Sequence, residues 1–271
     1  MNRYSLNQAT TKHWPLEDVV AASAKANLDW IGLWREPVQE YGVEKAARLV
    51  AESGLRVSSL CRGGFFTAAT ADERAAAIAD NRRALEEAAA LGTDTLVLVS
   101  GGLPEGSRDL EGARAMVRDG LAELAPYAGE LGVRLAIEPL HPMFCSDRCV
   151  VSSLGGALDI AEQFPASQVG VVVDAYHVWW DADVLRQIAR AGSRICSYQV
   201  CDWIVPLPSD VLLGRGMMGD GSIDLRALRT ACEDAGYTGP IEVEIFNAEL
   251  WAQPGQEVFD TALARYREHV A

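Results

Sequence analysis

The sequence predicts a (β/α)8 TIM barrel that uses the whole chain, residues 1–271, as one domain. Short apolar runs rich in β-branched residues alternate eight times with longer stretches of helical period. The joins between them are short, and no linker-like segment interrupts the order. Strict alternation implies parallel strands with right-handed crossovers, and eight such units close a barrel. The competing fold is an open doubly wound sheet, but the first turn, NQATTKHW, lacks the glycine-rich pattern expected of a nucleotide site.

The predicted strands share short apolar runs and cover residues 3–7, 29–35, 55–62, 94–100, 133–140, 169–175, 194–201 and 240–246. The predicted helices share a helical repeat and cover residues 16–27, 41–53, 70–91, 107–131, 153–163, 181–191, 224–236 and 255–270. Glycines that suit left-handed helix ends follow four of them, at Gly54, Gly92, Gly132 and Gly236. Thr70 precedes ADERAAA as an expected N-cap.

Composition limits the classes of function. With 49% hydrophobic residues the chain can bury a substantial core. The net charge of −14, from 24 basic and 38 acidic residues, disfavours nucleic acid and anionic membranes as partners. The first residues, MNRYSLNQATTKHW, lack the features of a signal peptide, and no apolar run is long enough to span a bilayer. A cytosolic protein is therefore expected.

Six cysteines lie at spacings that match no common zinc or haem motif. They are expected to be reduced and mostly buried, since free cysteine is among the most buried residue types.

Oxygen-bearing side chains lie near the ends of the last four predicted strands: Glu138 in LAIEPLH, Asp174 in GVVVDAYH, Gln199 in CSYQVCD and Glu244 in IEVEIF. In a parallel barrel these ends meet at one mouth. Carboxylates about 4 Å apart would repel by several kcal/mol per pair, so the group needs a cation or retained protons. For Glu138 the ordinary alternative is a buried carboxylate paired with an arginine. The pattern favours a metal enzyme.

Three further residues are candidates for the site. His177 follows Asp174 by three residues and could donate a hydrogen bond to a substrate oxygen, although it could equally be a packed histidine. Arg215, between two glycines in the long loop after the seventh strand, is either a donor to a substrate oxygen or a surface arginine. Glu242 shares a strand face with Glu244 and is expected to be its deeper neighbour.

The segments IEPLH, VVVDAYH, YQVCDW, GRGMMGDG and PIEVEIF together resemble the sugar phosphate isomerase/epimerase family of xylose-isomerase-like TIM barrels. The resemblance is strongest from residue 133 to 250. It implies one divalent ion held by Glu138, Asp174, Gln199 and Glu244, with Gln199 standing where the family has histidine. An all-oxygen set suits Mn²⁺ or Mg²⁺, with Co²⁺ and Zn²⁺ as alternatives. Asp202, in the family's H-x-x-D pattern, is a reserve ligand.

The resemblance also implies a mechanism for a small carbohydrate substrate. Glu138 and Glu244 would move a proton through a cis-enediolate while His177 and Arg215 hold the charged oxygen. Three alternatives remain: a lyase or dehydratase acting on a 3-keto-glycoside or related polyol, an inactive sugar-binding barrel, and a phosphodiesterase, which the few histidines and the negative charge disfavour. A homodimer is the default expectation for oligomeric state.

Overall fold

The computed structural model describes residues 3–271 and has a closed parallel barrel at its centre. The barrel strands are β1 (Tyr4–Asn7), β2 (Trp30–Trp34), β3 (Arg56–Gly64), β4 (Thr95–Val99), β5 (Arg134–Glu138), β6 (Val169–Asp174), β7 (Ile195–Val200) and β10 (Ile241–Val243). Each strand pairs with its sequence neighbours among these eight, and β1 pairs with β10 to close the barrel. The predicted (β/α)8 fold is confirmed.

Helices surround the barrel and follow its strands. They are α1 (Leu16–Lys25), α2 (Arg35–Tyr41), α3 (Val43–Glu52), α4 (Ala71–Ala90), α5 (Leu110–Leu131), α6 (Leu154–Ala161), α7 (Ala175–Val178), α8 (Val184–Ala191), α9 (Leu225–Asp234), α10 (Ala248–Trp251) and α11 (Gly255–His269). No helix among the described residues is both long and apolar enough to cross a bilayer.

Strand alternation divides the apolar residues into two cores. Leu135 and Ile137 belong to the large cluster packed between the barrel and its helices. Ala136 belongs to a small cluster inside the barrel, together with Cys61, Val97, Val172 and Cys196. Glu138 lies two residues beyond Ala136, so the same alternation points its carboxylate into the upper end of the interior.

The helix ends follow the predicted signals. Thr70 caps α4 with a full capping box, because its hydroxyl accepts from Glu73 N–H while the Glu73 carboxylate accepts from Thr70 N–H. The four glycines predicted to end helices have positive φ, from +68° at Gly132 to +95° at Gly236. The short helices α2, α7 and α10 were not predicted, because each begins directly at a barrel mouth and is too short for a helical repeat to be recognised.

The long loop after β7 is organised by a two-stranded hairpin, β8 (Asp202–Trp203) with β9 (Arg215–Gly216). The Asp202 carboxylate accepts hydrogen bonds from the backbone N–H groups of Trp203, Gly219 and Ile223, at 2.8, 2.9 and 3.0 Å. Both of its oxygens are therefore used in shaping the loop. This corrects the expectation that Asp202 is a reserve metal ligand.

Candidate active site

Glu138, Asp174 and His177 form a compact buried cluster at the mouth of the barrel. One ligand atom from each lies within 4.8 Å of the others. Glu138 ends β5 and Asp174 ends β6, where the Asp174 carboxylate caps α7 by accepting from Tyr176 N–H at 2.8 Å. The short helix α7 then turns His177 back over the strand end. A helix of four residues thus explains why a histidine three positions beyond the strand belongs to the site.

Arg215 joins the cluster to Glu244. Its Nη1 donates to Asp174 Oδ2 at 3.1 Å and to Glu244 Oε2 at 3.0 Å, and the side chain is 4% exposed. Pairing of β9 with β8 positions the residue, and Asn247 Nδ2 donates to its carbonyl at 2.9 Å. Arg215 is therefore part of the buried site, and the surface-arginine interpretation is wrong.

An N–H group of His177 and an N–H group of Arg215 face each other in the site. The backbone N–H of His141 donates to His177 Nδ1 at 3.1 Å, so a neutral ring carries its proton on Nε2. That nitrogen lies 3.0 Å from Arg215 Nη2, which is also a donor. Burial, and then the charge of Arg215, lowers the pKa of His177 well below its usual value, so the ring is neutral. With the proton on Nε2 this contact lacks an acceptor, and an oxygen placed beside it could accept from both N–H groups.

Gln199 lies beside the cluster with its oxygen unpaired. It is in register with Asp174 on one side and Glu242 on the other. Its Nε2 donates to Glu242 Oε1 at 3.2 Å, while its buried Oε1 has no hydrogen-bond partner among residues 3–271. A buried acceptor without a donor is costly, and a cation is one group that would satisfy it.

Burial dominates the electrostatics of the three acids. It raises the pKa of Glu138 well above the usual range, and repulsion from Glu244 and Asp174 adds to the effect. Burial also raises the pKa of Asp174, which Arg215 opposes. For Glu244, burial raises the pKa to about 7 against the lowering influence of Arg215. One guanidinium cannot compensate three carboxylates, so Glu138 retains a proton unless another cation is present.

A cavity of about 480 Å³ opens above these residues. Glu138, His177, Arg215 and Glu244 line it, whereas Asp174 and Gln199 do not. Its aromatic wall is formed by Trp34 and Phe246, whose ring centroids lie 5.5 Å apart. The tandem tryptophans Trp179 and Trp180, which follow His177 closely in sequence, do not line this cavity.

Comparisons with known proteins identify the family of this barrel. A family model described as a xylose isomerase-like TIM barrel matches residues 20–269. The chain belongs to the xylose isomerase-like TIM barrel family. The crystal structure of protein SMc04130 from Sinorhizobium meliloti 1021 is 48% identical in sequence and has a TM-score of 0.96. The comparison covers 99% of this chain and 98% of that protein.

Two curated relatives of this chain are enzymes. An inosose isomerase from Bacillus licheniformis is 29% identical over 52% of this chain and 50% of its own length. A 3-dehydroshikimate dehydratase from Pseudomonas aeruginosa is 26% identical over 88% of this chain and 37% of its own length. The chain thus spans about half the length of the inosose isomerase and less of the dehydratase. The crystal structure of IolI protein with a bound zinc atom has 23% identity and a TM-score of 0.84, with 99% and 98% of the two chains covered, which shows a shared fold.

The xylose isomerase-like barrel also contains site residues that sequence reasoning missed. Phe246 ends the predicted last strand and lies just beyond the observed β10, and Cys61 lies on β3 with its Sγ 4.0 Å from Glu244 Oε1. Asn7, at the end of β1, donates to Glu242 Oε1 at 2.6 Å and accepts from Trp34 Nε1 at 2.7 Å. Asn7 is a polar residue at the end of the first strand, as Glu138 is at the end of the fifth. The same sequence signal could therefore have identified Asn7.

Proposed function

We propose that this chain is a divalent-metal-dependent isomerase or epimerase of sugars or keto-sugars that acts by proton transfer through a cis-enediolate. The main support is the pair Glu138 and Glu244, two buried carboxylates that line one cavity of about 480 Å³ and have raised pKa values. Such groups are suited to accepting and returning protons near neutral pH.

The residues present fit a divalent cation. Glu138, Asp174, Gln199 and Glu244 would hold it, because three buried carboxylates lack full compensation and Gln199 Oε1 lacks a donor among the described residues. When bound, the cation supplies Lewis acidity that polarises a substrate carbonyl and offsets developing negative charge. The bound zinc in IolI supports a metal in this fold. Oxygen ligands alone favour Mn²⁺ or Mg²⁺ here.

Proton transfer is assigned to the two glutamates. One carboxylate removes a proton from the carbon next to the substrate carbonyl, and the electron pair of that C–H bond moves to form the enediolate. A carboxylic acid then returns a proton to carbon. Return to the opposite face of the same carbon inverts its configuration. Return to the neighbouring carbon exchanges aldose and ketose, provided that the hydroxyl proton passes from one enediolate oxygen to the other. Glu244 Oε2 is paired with Arg215, which leaves Oε1 as its available base.

The enediolate oxygen is assigned to the two opposed donors. His177 Nε2 and Arg215 Nη2 lie 3.0 Å apart, so one oxygen between and above them can accept from both. Fixed donors in a buried site stabilise charge that develops in the transition state more than charge in the ground state. Neutral His177 can donate without competing for the substrate proton.

Deuterium exchange tests this function directly. Metal-loaded protein is incubated with neutral keto-sugars in D2O, and carbon-bound deuterium is measured by mass spectrometry. Exchange that is lost in E138Q and in E244Q supports the proposal. Absence of exchange, isomerisation and epimerisation across a panel of ketoses and inososes would contradict it.

A dehydratase is the second candidate, because the alignment with 3-dehydroshikimate dehydratase covers 88% of this chain. The first step would be the same proton removal. The enolate would then expel a β-hydroxyl, and an acid in the site would protonate it as water leaves. The same incubation separates the two reactions, since elimination lowers the product mass by one water whereas isomerisation does not.

A further inference from the structure

Arg62 lines the cavity but has no part in the proposed reaction. It follows Cys61 on β3 and is half-buried, with its guanidinium over the rings of Trp34 and Phe65 at 5.6 and 4.6 Å from their centroids. Its buried Nε has no hydrogen-bond partner in the described part of the chain. A charged group with an unpaired buried N–H is costly, whereas an anionic ligand would satisfy it.

Arg148 lines the same cavity from the segment after β5. It directly precedes Cys149, whose thiol lies 3.1 Å from the carbonyl oxygen of Val151 and 3.5 Å from that of Glu138. A backbone bridge between Cys149 and Gly101 holds this segment against the end of β4. The ion pair of Arg148 with Asp147 is long, at 3.6 Å, and exposed, so it compensates little of the charge.

The other charged residues of the cavity wall carry more acidic than basic groups, with Lys12 and Arg215 against four glutamates. Lys12 comes from the β1 side, where Glu36 and Glu40 also line the cavity. Arg215 is already paired with two carboxylates. Among residues 3–271 Arg62 has no ion pair within 4.0 Å and Arg148 has only the long one with Asp147, so these two arginines are the cavity's weakly paired cations.

We propose that Arg62 and Arg148 form a subsite for an anionic group, a carboxylate or a phosphate, carried by the substrate of this cavity. The inference rests on the proposed function, because it takes the cavity to be the substrate site. A guanidinium presents a planar fork of donors that matches either anion, and ring contacts fix the fork of Arg62 in orientation. An anion held there would leave the rest of the substrate in the cavity that Glu138 and Glu244 also line.

Binding of three related probes tests the subsite: neutral D-fructose, D-gluconate with a carboxylate, and D-fructose 6-phosphate. Dissociation constants are measured by calorimetry on the manganese-loaded protein. We expect at least one anionic probe to bind about tenfold or more tightly than fructose, and the better one identifies the anion. In R62Q and in R148Q the ratio of anionic to neutral affinity should fall about tenfold.

R48Q is the matched control, because Arg48 is exposed on α3, outside the cavity, and its replacement changes net charge equally. The ratio should stay within about twofold in R48Q if local contacts rather than net charge determine it. R62K, which keeps the charge but loses the fork, should be intermediate. If circular dichroism shows that R62Q is unfolded, the affinity ratio of R148Q decides the test instead. The Arg148 side chain is 39% exposed, so its replacement should leave the protein folded.

Equal binding of the three probes by the native protein would overturn the subsite, as would equal losses in R48Q and R62Q. Deuterium exchange with neutral keto-sugars, without preference for either anion, would refute the subsite alone. Arginine-dependent anion binding without exchange or elimination on any keto-sugar would uphold the subsite and refute the proposed reaction.

Discussion

Glu242 and Glu244 lie two residues apart at the end of the barrel, yet their carboxylates are stabilised in opposite ways. Glu242 accepts from Asn7, Ser58, Ser59 and Gln199, all uncharged donors, at 2.5 to 3.2 Å. Glu244 has one oxygen paired with Arg215, and among residues 3–271 its other oxygen has a hydrogen-bond contact only with the Cys61 thiol, at 4.0 Å.

The difference separates a structural carboxylate from a reactive one. Donors occupy both oxygens of Glu242, and a Cβ on Gly32 would lie 2.7 Å from its carboxylate carbon, so that carboxylate is held in place. Glu244 keeps one oxygen available at the cavity. We call Asn7, Ser58, Ser59 and Glu242 the lower layer, and Glu138, Asp174, His177, Arg215 and Glu244 the upper layer. If the lower layer is structural and the upper layer reactive, substitutions in the lower layer should mainly change stability and those in the upper layer activity.

The largest expected effect is in the upper layer. E244Q and E138Q should each slow deuterium exchange about 10³-fold or more, because an amide can neither accept nor return the carbon-bound proton. Exchange rates are measured at saturating substrate. A loss smaller than tenfold in both variants would place the proton transfer elsewhere.

In the lower layer, E242Q should mainly affect stability. The new amide would turn an NH2 group toward side chains that already donate, which we expect to cost about 2 to 4 kcal/mol in the free energy of unfolding. Urea denaturation measures this. E44Q, at an exposed position on α3, should change it by less than about 0.5 kcal/mol. Equal stability of E242Q and E44Q would remove the distinction between the layers.

Removal of one of the opposed donors should have a smaller kinetic effect than loss of a base. H177A is expected to lower kcat/KM about 100-fold, since one donor to the charged oxygen is lost. H177Q, which keeps an N–H donor, should recover part of the loss. If H177Q were no better than H177A, a packing role for the ring would explain the data better.

Gln199 connects the layers, since its nitrogen binds Glu242 and its oxygen is unpaired within residues 3–271. Q199H should raise the ratio of zinc to manganese affinity about tenfold, because imidazole nitrogen suits zinc better than an amide oxygen does. Competition calorimetry measures the ratio. An unchanged ratio would mean that residue 199 does not contact the cation.

Arg35 lies in the helix layer outside the barrel, and its ion pairs can be compared with those of the two layers inside. It pairs with Asp80 and Glu87 at 2.8 and 2.6 Å, and the Arg35 hydrogen bond lowers the pKa of Asp80. A carboxylate whose pKa is lowered by folding stabilises the protein at pH values above its pKa in the unfolded chain, about 3.9. This stabilisation is lost as the pH falls through the lower pKa of the folded state. R35Q should therefore destabilise the protein more at pH 7 than at pH 3. A pH-independent loss would indicate packing instead.

Sequence alone determined the eight-unit barrel, the helix caps at Thr70 and Gly132, and the residues at the ends of the last four barrel strands. These follow from local rules, because periodicity, capping and strand ends are properties of a few neighbouring residues. The family assignment follows from the same segments. Domain extent, oligomeric state and the cation remain predictions.

Tertiary structure alone decided which polar groups meet. Local sequence predicts only that Glu242 lies deeper than Glu244. Their different hydrogen-bond partners depend on donors from β1 and β3 and on a loop arginine about thirty residues earlier in the chain. The same holds for Arg62 and Arg148, which are 86 positions apart yet line one cavity. Closure of the barrel brings distant strand ends together, and burial there determines which charges are compensated.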